Sequence, residues 1–500
     1  MRMPYLPQGG GISSVTESIG GLWLTGGYEN GSLAGGLHLD SRESPALCQR
    51  AAPLTEGEYE DPQAMAASGG KLALICGGRV IWDGADIGRV TEGAKHTAVI
   101  GQRIVIFPDK KYIDTASGEL CDMEASVTAS GLTFDGGSIE LAEGQWPFAE
   151  GDGVEISGCA EHKANDLSLI VRGVEGTRLR FDDNVFEAGT ESGSVTVRRR
   201  LPDLEVICES GNRLWGCEGN VIYGSKLGDP LNFFVYDGLS TDSYAVTIGG
   251  DGGFTACAPY GSHIMFFKED MAYKLYGTRP ANFQLMPARI PGVRRGCAPT
   301  VLTDSEDMYY LGTDGFYAYS GGVPRLLSQR VGMPWSGEGC GGIWKGRYYL
   351  SGGWGTWTYD LLRERWLPWG EEQGAAMTSC GGRMHMLCRG GRLLALDEGA
   401  EDEEWLAEFR PFKGAPGRYT SLCGVIVDAR QEDGAWMALE YRMTGRPWQR
   451  AAVWPAGYAG PRKASLPPNR GYDMTLRLRG RGQCTVMSIE RIFRRGSEQK

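Results

Sequence analysis

The strongest constraint on this chain is a repeat. Residues 205–330 state one pattern three times: a small-residue turn, an apolar or aromatic strand, a polar turn and a second aromatic strand. The units run from Gly211-Asn212-Arg213-Leu214-Trp215 to Val221-Ile222-Tyr223, from Gly261-Ser262-His263-Ile264-Met265-Phe266-Phe267 to Met271-Ala272-Tyr273-Lys274-Leu275-Tyr276, and from Asp307-Met308-Tyr309-Tyr310-Leu311 to Gly315-Phe316-Tyr317-Ala318-Tyr319. They recur about every 40 residues, the period of a four-stranded propeller blade. One such hairpin cannot bury its aromatic face, whereas a ring of them can. The pattern predicts an all-β chain built on a β-propeller of about six to eight blades, whose function lies on its surfaces.

Composition fits a rigid β protein. Glycine makes up 76 of the 500 residues, about twice the roughly 7% of average usage, as tight turns between short strands require. No run of 18 apolar residues occurs, so no membrane span is expected. The N-terminal Met1-Arg2-Met3-Pro4-Tyr5-Leu6-Pro7 lacks a secretory apolar core, and the expectation is a chain made and folded in a cytosol. The 13 cysteines are scattered, without a Cys-x-x-Cys pair. They read as buried free thiols rather than a metal site or disulfide framework.

Composition shifts mark the boundaries. Residues 1–122 read as the first part of the propeller, with hairpins at Lys71–Cys76, 79–83, 97–100, 104–107 and Lys111–Asp114. Residues 123–203 break the period with alternating strands, Gly/Asp turns and few aromatics, which suits an inserted small β-barrel-like domain. The ring resumes over 204–405. Residues 406–500, with alternating strands separated by Pro-rich loops, predict a C-terminal basic β-sandwich. An open propeller leaves a bare strand edge at each end, so residues 12–50 are expected to close the ring against 383–396, through Leu22-Trp23-Leu24 or residues 32–39.

Charge is unevenly spread. The chain is −11 overall, yet residues 410–500 hold 17 Lys/Arg against 7 Asp/Glu, a surplus of +10. The boundary falls at the acidic run Glu398-Gly399-Ala400-Glu401-Asp402-Glu403-Glu404. Such a basic module suits a nucleic-acid contact, a neighbouring subunit's acidic face, or plain solvation. Its candidate interaction residues are Arg477, Arg479, Arg481, Arg491, Arg494 and Arg495.

Catalytic signatures are absent. None of the five histidines pairs at a metal-ligand spacing, and there is no phosphate-binding loop, nucleophile elbow or His-Glu-x-x-His. Gly249-Gly250-Asp251-Gly252-Gly253 reads as a turn between blades, and Asp182-Asp183 and Glu371-Glu372 as solvated acids. No catalytic residue, metal or cofactor is called for. Trp344, Trp354, Trp357, Trp366 and Trp369 cluster within one predicted blade. Aromatics there either fill the wedge between blades or stack sugars, and they are the candidate glycan-contact residues.

Over 212–322 the order of strands is similar to a known pattern. Ile264-Met265-Phe266-Phe267 precedes Ala272-Tyr273-Lys274-Leu275-Tyr276-Gly277, an extended Asn282-Phe283-Gln284-Leu285, a turn at Gly296-Cys297-Ala298, then Met308-Tyr309-Tyr310-Leu311 and Asp314-Gly315-Phe316-Tyr317. This resembles the propeller of tail nozzle or tail hub proteins of short-tailed bacteriophages. The segment from Asp40 to Arg50 is similar to the stretch preceding the blades there, and the strand-rich end from Arg479-Gly480 to Glu490-Arg491-Ile492 also fits. The resemblance implies a non-enzymatic virion protein, assembled in the host cytoplasm as a cyclic homo-oligomer. It implies contacts with adaptor and fibre proteins and transient, non-specific contact with DNA conducted through the ring. The alternative from the tryptophans is a glycan-binding or glycan-hydrolysing propeller at a host cell surface.

Overall fold

Tight turns set the architecture. Gly69-Gly70, Gly211-Asn212, Lys345-Gly346 and Gly381-Gly382 have positive φ at both positions. That is the type I′ geometry, whose twist matches the strands it joins. In the computed structural model, which describes residues 12–332, 334–400, 403–413, 420–455, 457–467, 469 and 471–495, each of these turns links the first two strands of a four-stranded antiparallel sheet.

Seven such sheets form a propeller. Blade I runs from Pro62–Ser68 to Ala85–Arg89, blade II from His96–Ile100 to Leu120–Asp122, and blade III from Val206–Ser210 to Tyr244–Thr247. Blade IV runs from Ala256–Tyr260 to Gln284–Ala288, blade V from Leu302–Asp304 to Arg325–Leu326, and blade VI from Gly339–Trp344 to Arg365–Gly370. First strands lie around the axis and fourth strands at the rim. Second strands are buried on both faces because blades stack face to face. Ile104, Val105, Ile106 and Phe107 of blade II, and Met308, Tyr310 and Leu311 of blade V, are solvent-free.

Blade VII takes Gly374–Cys380, Arg383–Cys388 and Arg392–Ala395 from the far end of the ring, and Leu54–Glu58 as its fourth strand. A bulge between Leu393 and Leu394 leaves Glu56 unpaired in the ladder. Its carboxylate reaches inward to Arg383 (3.1 Å) and His385 Nε2 (3.0 Å). The ring is thus closed by an N-terminal strand, but not by residues 12–50, which form no ladder with 374–398. Neither Leu22-Trp23-Leu24 nor residues 32–39 close it. Only three residues separate Leu54–Glu58 from blade I, so that strand reaches blade VII directly.

Residues 12–50 belong instead with the C-terminal module, so the ring begins at residue 54 rather than at residue 1. Ile12–Thr16 and Leu47–Gln49 pair with Cys484–Arg495, and Leu33–Leu37 pairs with Glu404–Phe409. The result is a sandwich of two sheets. One contains Cys484–Arg495, Thr420–Gln431 and Tyr458–Ser465; the other contains Glu404–Phe409, Asp473–Arg481, Trp436–Met443 and Gln449–Trp454. Val425, Val427, Met437, Leu439, Leu476 and Leu478 fill the space between them.

The sandwich is fixed to the rim of blade VI by polar contacts that little water reaches. Asp40 pairs with Arg347 at 2.7 Å, and Ser41 donates to Asp360 at 2.5 Å. The Arg50 guanidinium stacks 4.0 Å over Trp369, donates to its carbonyl and pairs with Glu403.

Residues 123–203 form one seven-stranded sheet. Its two edge strands, Ser168–Ile170 and Gly173–Glu175, are separated by two residues, so the sheet curls until its edges meet, a small barrel around Phe134, Ile156, Leu179 and Val197. It is tied to blade III through Asp152, which accepts from Arg199 and from Asn232, each at 2.8 Å. Both Asp152 and Arg199 are buried. Arg172 adds an ion pair to Asp237 at 2.7 Å. Breaking a buried pair by removing one partner costs about 3–5 kcal/mol. Asp152→Ala is therefore expected to lower the denaturation midpoint of the chain and to open the joints flanking 123–203 to limited proteolysis. Unchanged digestion would contradict this anchoring role.

Candidate functional site

Three places could carry a function: the propeller axis, the blade VI tryptophans and the outer face of the sandwich. The axis holds a cavity of about 340 Å³ lined by the first strands of most blades. Small side chains line much of it, among them Ala64, Ala98, Ala258 and Ala376, with Gln63, Lys95 and Thr97 adding polar groups. His96 faces it, and burial pulls its imidazole below the usual range. Glu209 is the one carboxylate of the lining, and it accepts the backbone N–H of Asn212 at 2.8 Å. No second carboxylate joins it there.

The five tryptophans do not assemble into one platform. Trp366 is 2% exposed and Trp369 1%, and Trp344, Trp354 and Trp357 are half-buried. Trp366, Trp354 and Trp357 pack around Trp335 with ring centroids 4.9, 6.0 and 5.7 Å away. Trp335, fully buried and outside any strand, escaped the sequence reading, because no alternation marks it. Trp366 also donates to the Leu327 carbonyl, sealing blade VI to blade V. Trp369 lies beneath Arg50 and donates to Asp397. Trp344 packs against the cluster that holds Trp369 together with Met384 and Met386 of blade VII. Most of this aromatic area fills wedges between blades.

The sandwich presents a basic face. Alternation along Asp473–Arg481 puts Arg477, Arg479 and Arg481 on the side of the sheet away from the core. Antiparallel neighbours bring Arg442 and Arg450 beside them, and the loop ahead of Gln449–Trp454 adds Trp448. Arg442 and Arg477 stack on the Trp448 ring at 4.6 and 4.3 Å. Glu440 accepts from Arg477 at 2.8 Å, and also lies near Arg479 (3.5 Å) and Arg450 (3.8 Å). Glu408 faces Arg442 at 3.8 Å. Glu404 stands opposite Arg481 in the ladder, so Glu404, Glu408 and Glu440 together face a larger number of arginines, several of them well exposed. Arg442 and Arg450 gave no sequence signal, because only strand register places them here, and Trp448 reaches the face from a loop.

Arg491 is not part of this face. It is 4% exposed, stacks 4.1 Å over Phe412 and donates to Ser14 Oγ at 2.7 Å. Burial pushes its pKa down to about 10. It serves the interior, joining an N-terminal strand to a C-terminal one. Arg494 and Arg495 pair through their backbones with Ser421 and Thr420, and their side chains lie outside the described residues.

One cluster of metal-capable groups occurs among the described residues: Glu161, His162 and Glu191. Its oxygens are already engaged. Glu191, solvent-free, accepts the N–H groups of Ala160 (2.8 Å), Glu161 (3.0 Å) and His162 (2.6 Å), with His162 Nδ1 at 3.1 Å. Glu161 accepts from Ser192. The arrangement is a clasp holding the loop at 159–162 rather than an open coordination shell. All 13 cysteines are free, 11 of them buried, and burial raises the thiols of Cys76, Cys159, Cys297, Cys340, Cys388 and Cys484 to about 11 or 12. These thiols are unreactive at neutral pH.

No protein-family model matches the chain, and no curated protein matches it. Among solved structures it is similar to an exo-β-1,3-galactanase from Phanerochaete chrysosporium, at 10% identity over 58% of this chain and 95% of that one, with a TM-score of 0.22. It is also similar to the dihydro-heme d1 dehydrogenase NirN, at 12% identity over 74% and 75%, TM-score 0.27, and to a glycoside hydrolase, at 11% identity over 88% and 99%, TM-score 0.21. Likeness at that level carries no activity, ligand or partner over to this chain.

The Glu191 clasp has a definite pH signature. Burial alone would raise its carboxyl, but the three N–H donors and His162 outweigh that and hold it at about 2, against 4.5 for the free group. A depressed carboxylate stabilises the fold above the unfolded value, and that contribution is lost as pH falls through the folded value. The amides of Ala160–His162 should therefore lose exchange protection, relative to intrinsic rates, between about pH 4.5 and 2. In Glu191→Gln they should be poorly protected already at neutral pH. Equal protection in the two proteins at pH 7 would refute the clasp.

Proposed function

We propose that this chain is a structural, non-enzymatic subunit of a bacteriophage tail, of nozzle or hub type. It acts as part of a ring that closes the head–tail channel, conducts DNA and presents attachment surfaces. The observation that carries this reading is the joining of the two ends of the chain. The segment from Asp40 to Arg50, which resembles the stretch before the blades in such proteins, pairs with the last strand through Leu47 and Cys48 and leads directly into the strand that closes the propeller. A subunit tied in this way holds its N-terminal and C-terminal strands in one sheet, which resists unzipping under load. The residues that carry the resemblance, 212–322, fall in blades III to V.

The axial cavity of about 340 Å³ is of the size that takes a small molecule and is far too small for a duplex. In this reading DNA passes through the space enclosed by several copies, not along a propeller axis. The glycan reading has weaker support. Cleavage by the usual route needs two carboxylates about 5–9 Å apart, and Glu209 stands alone in the cavity lining.

The test is location. Antibody against this chain, applied with gold label to particles released by cells that carry its gene, should mark the tail, and mass spectrometry of those particles should recover the chain. Purified particles without the chain, or label confined to cell surfaces, would overturn the tail reading.

A further inference from the structure

We infer that the basic outer face of the sandwich docks head-to-tail on the acidic inserted domain of a second copy of this chain. The inference rests on the reading of the chain as a ring subunit and names the surfaces that would join.

The two surfaces have opposite and uncompensated charge. Residues 123–203 hold 15 Asp/Glu against 7 Lys/Arg. All seven cations are already ion-paired: Lys163, Arg172, Arg178, Arg180, Arg198 and Arg199 with carboxylates at 2.5–3.4 Å, and Arg200 with Glu155 at 3.8 Å. Glu143, Glu150, Asp183 and Glu187 remain exposed, with no ion pair among the described residues. On the sandwich the imbalance is reversed. Arg442, Arg450, Arg477 and Arg479 share Glu408 and Glu440, and Arg450 is 57% exposed. Guanidinium and carboxylate form the strong, bidentate class of hydrogen bond, and Trp448, with two guanidiniums already stacked on it, holds those arginines in place.

Their placement suits a head-to-tail contact. The inserted domain is anchored on blade III and the sandwich on blade VI, three blades apart, or roughly 150° around a seven-bladed ring. Within the sandwich, Leu33–Leu37 lies at the blade VI side of its sheet, and Gln449–Trp454, which carries Arg450, forms the opposite edge. The basic face therefore extends away from its own propeller. With a Debye length of about 8 Å at physiological salt, the two surfaces of one copy do not neutralise each other. Each is left for a neighbour. Different surfaces meeting on successive copies make a heterologous contact, which closes into a ring or extends into a filament according to the rotation per step.

A nucleic acid is the less fitting occupant. The chain is −11 overall, and everything outside 410–500 sums to −21, a field that repels a polyanion along most of the molecule.

The test is a charge swap in the full-length chain. One variant carries Arg450→Glu and Arg481→Glu; the other carries Glu143→Lys, Asp183→Lys and Glu187→Lys, three exposed positions outside any strand. By sedimentation velocity the unaltered chain should self-associate at low salt and dissociate as salt rises. Each variant alone should be monomeric, with association weakened at least tenfold, and an equimolar mixture should reassemble because both contacts are again complementary. Variants that associate like the unaltered chain, or a mixture that stays apart, would overturn this interface while leaving the tail reading to the particle experiment. An unaltered chain that is monomeric at low salt and binds duplex DNA through Arg450 and Arg481 would overturn it in favour of nucleic acid.

Discussion

The pairing of Leu54–Glu58 with Arg392–Ala395 is the contact on which the rest of the molecule depends. A propeller built from one chain has a first and a last blade, and each exposes a strand edge until something covers it. Here the seventh blade is assembled from both ends of the ring, so one antiparallel ladder removes both edges. Glu56 strengthens it by reaching past its neighbour to Arg383 and His385. The seam also determines what lies outside the ring. The chain enters and leaves the propeller at one point, where Ala52 and Gly399 exchange backbone contact at 2.8 Å. The flanking segments therefore run side by side, and the economical way to bury their apolar faces is against each other. The two-ended sandwich follows from the closure.

Rigidity and surface then divide the work. Blade wedges are filled by aromatic clusters, and the joints between modules are made by polar groups with little access to water, such as Asp40 with Arg347 and Asp152 with Arg199 and Asn232. An unpaired member of such a group is costly, which ties sandwich, propeller and inserted barrel into one geometry. A fixed geometry allows surfaces separated by three blades to be aimed at neighbouring molecules.

The ring was legible in the sequence where its blades are regular. Blades III to V carry the aromatic repeat, and their second strands, buried on both faces, show as continuous apolar runs. The insertion was visible as a loss of period. The closing strand was not legible. Leu54-Thr55-Glu56-Gly57-Glu58 is polar and largely exposed at the rim, and nothing in its composition separates it from a loop. Residues 12–50 read as extended, but an extended segment records only that a strand can form, not which sheet it joins. Their partners lie more than 350 residues away. The same limit applied to the basic face. The period-two spacing of Arg477, Arg479 and Arg481 could be read along one strand, while Arg442 and Arg450 join them only through register and Trp448 only through the path of a loop. Arg491 shows the converse, an arginine drawn inside by Phe412 and Ser14.

The seam itself offers the most direct measurement. Glu58 and Arg392 stand opposite each other in the ladder, and directly opposed residues in an antiparallel pair lie within reach of a disulfide. With cysteines placed at both positions, mild oxidation followed by peptide mapping should recover a single crosslink joining the two segments, and the oxidised protein should melt at a higher temperature than the reduced one. Recovery of no such crosslink, with both new thiols open to alkylation in the folded protein, would contradict closure of the ring by the N-terminal strand.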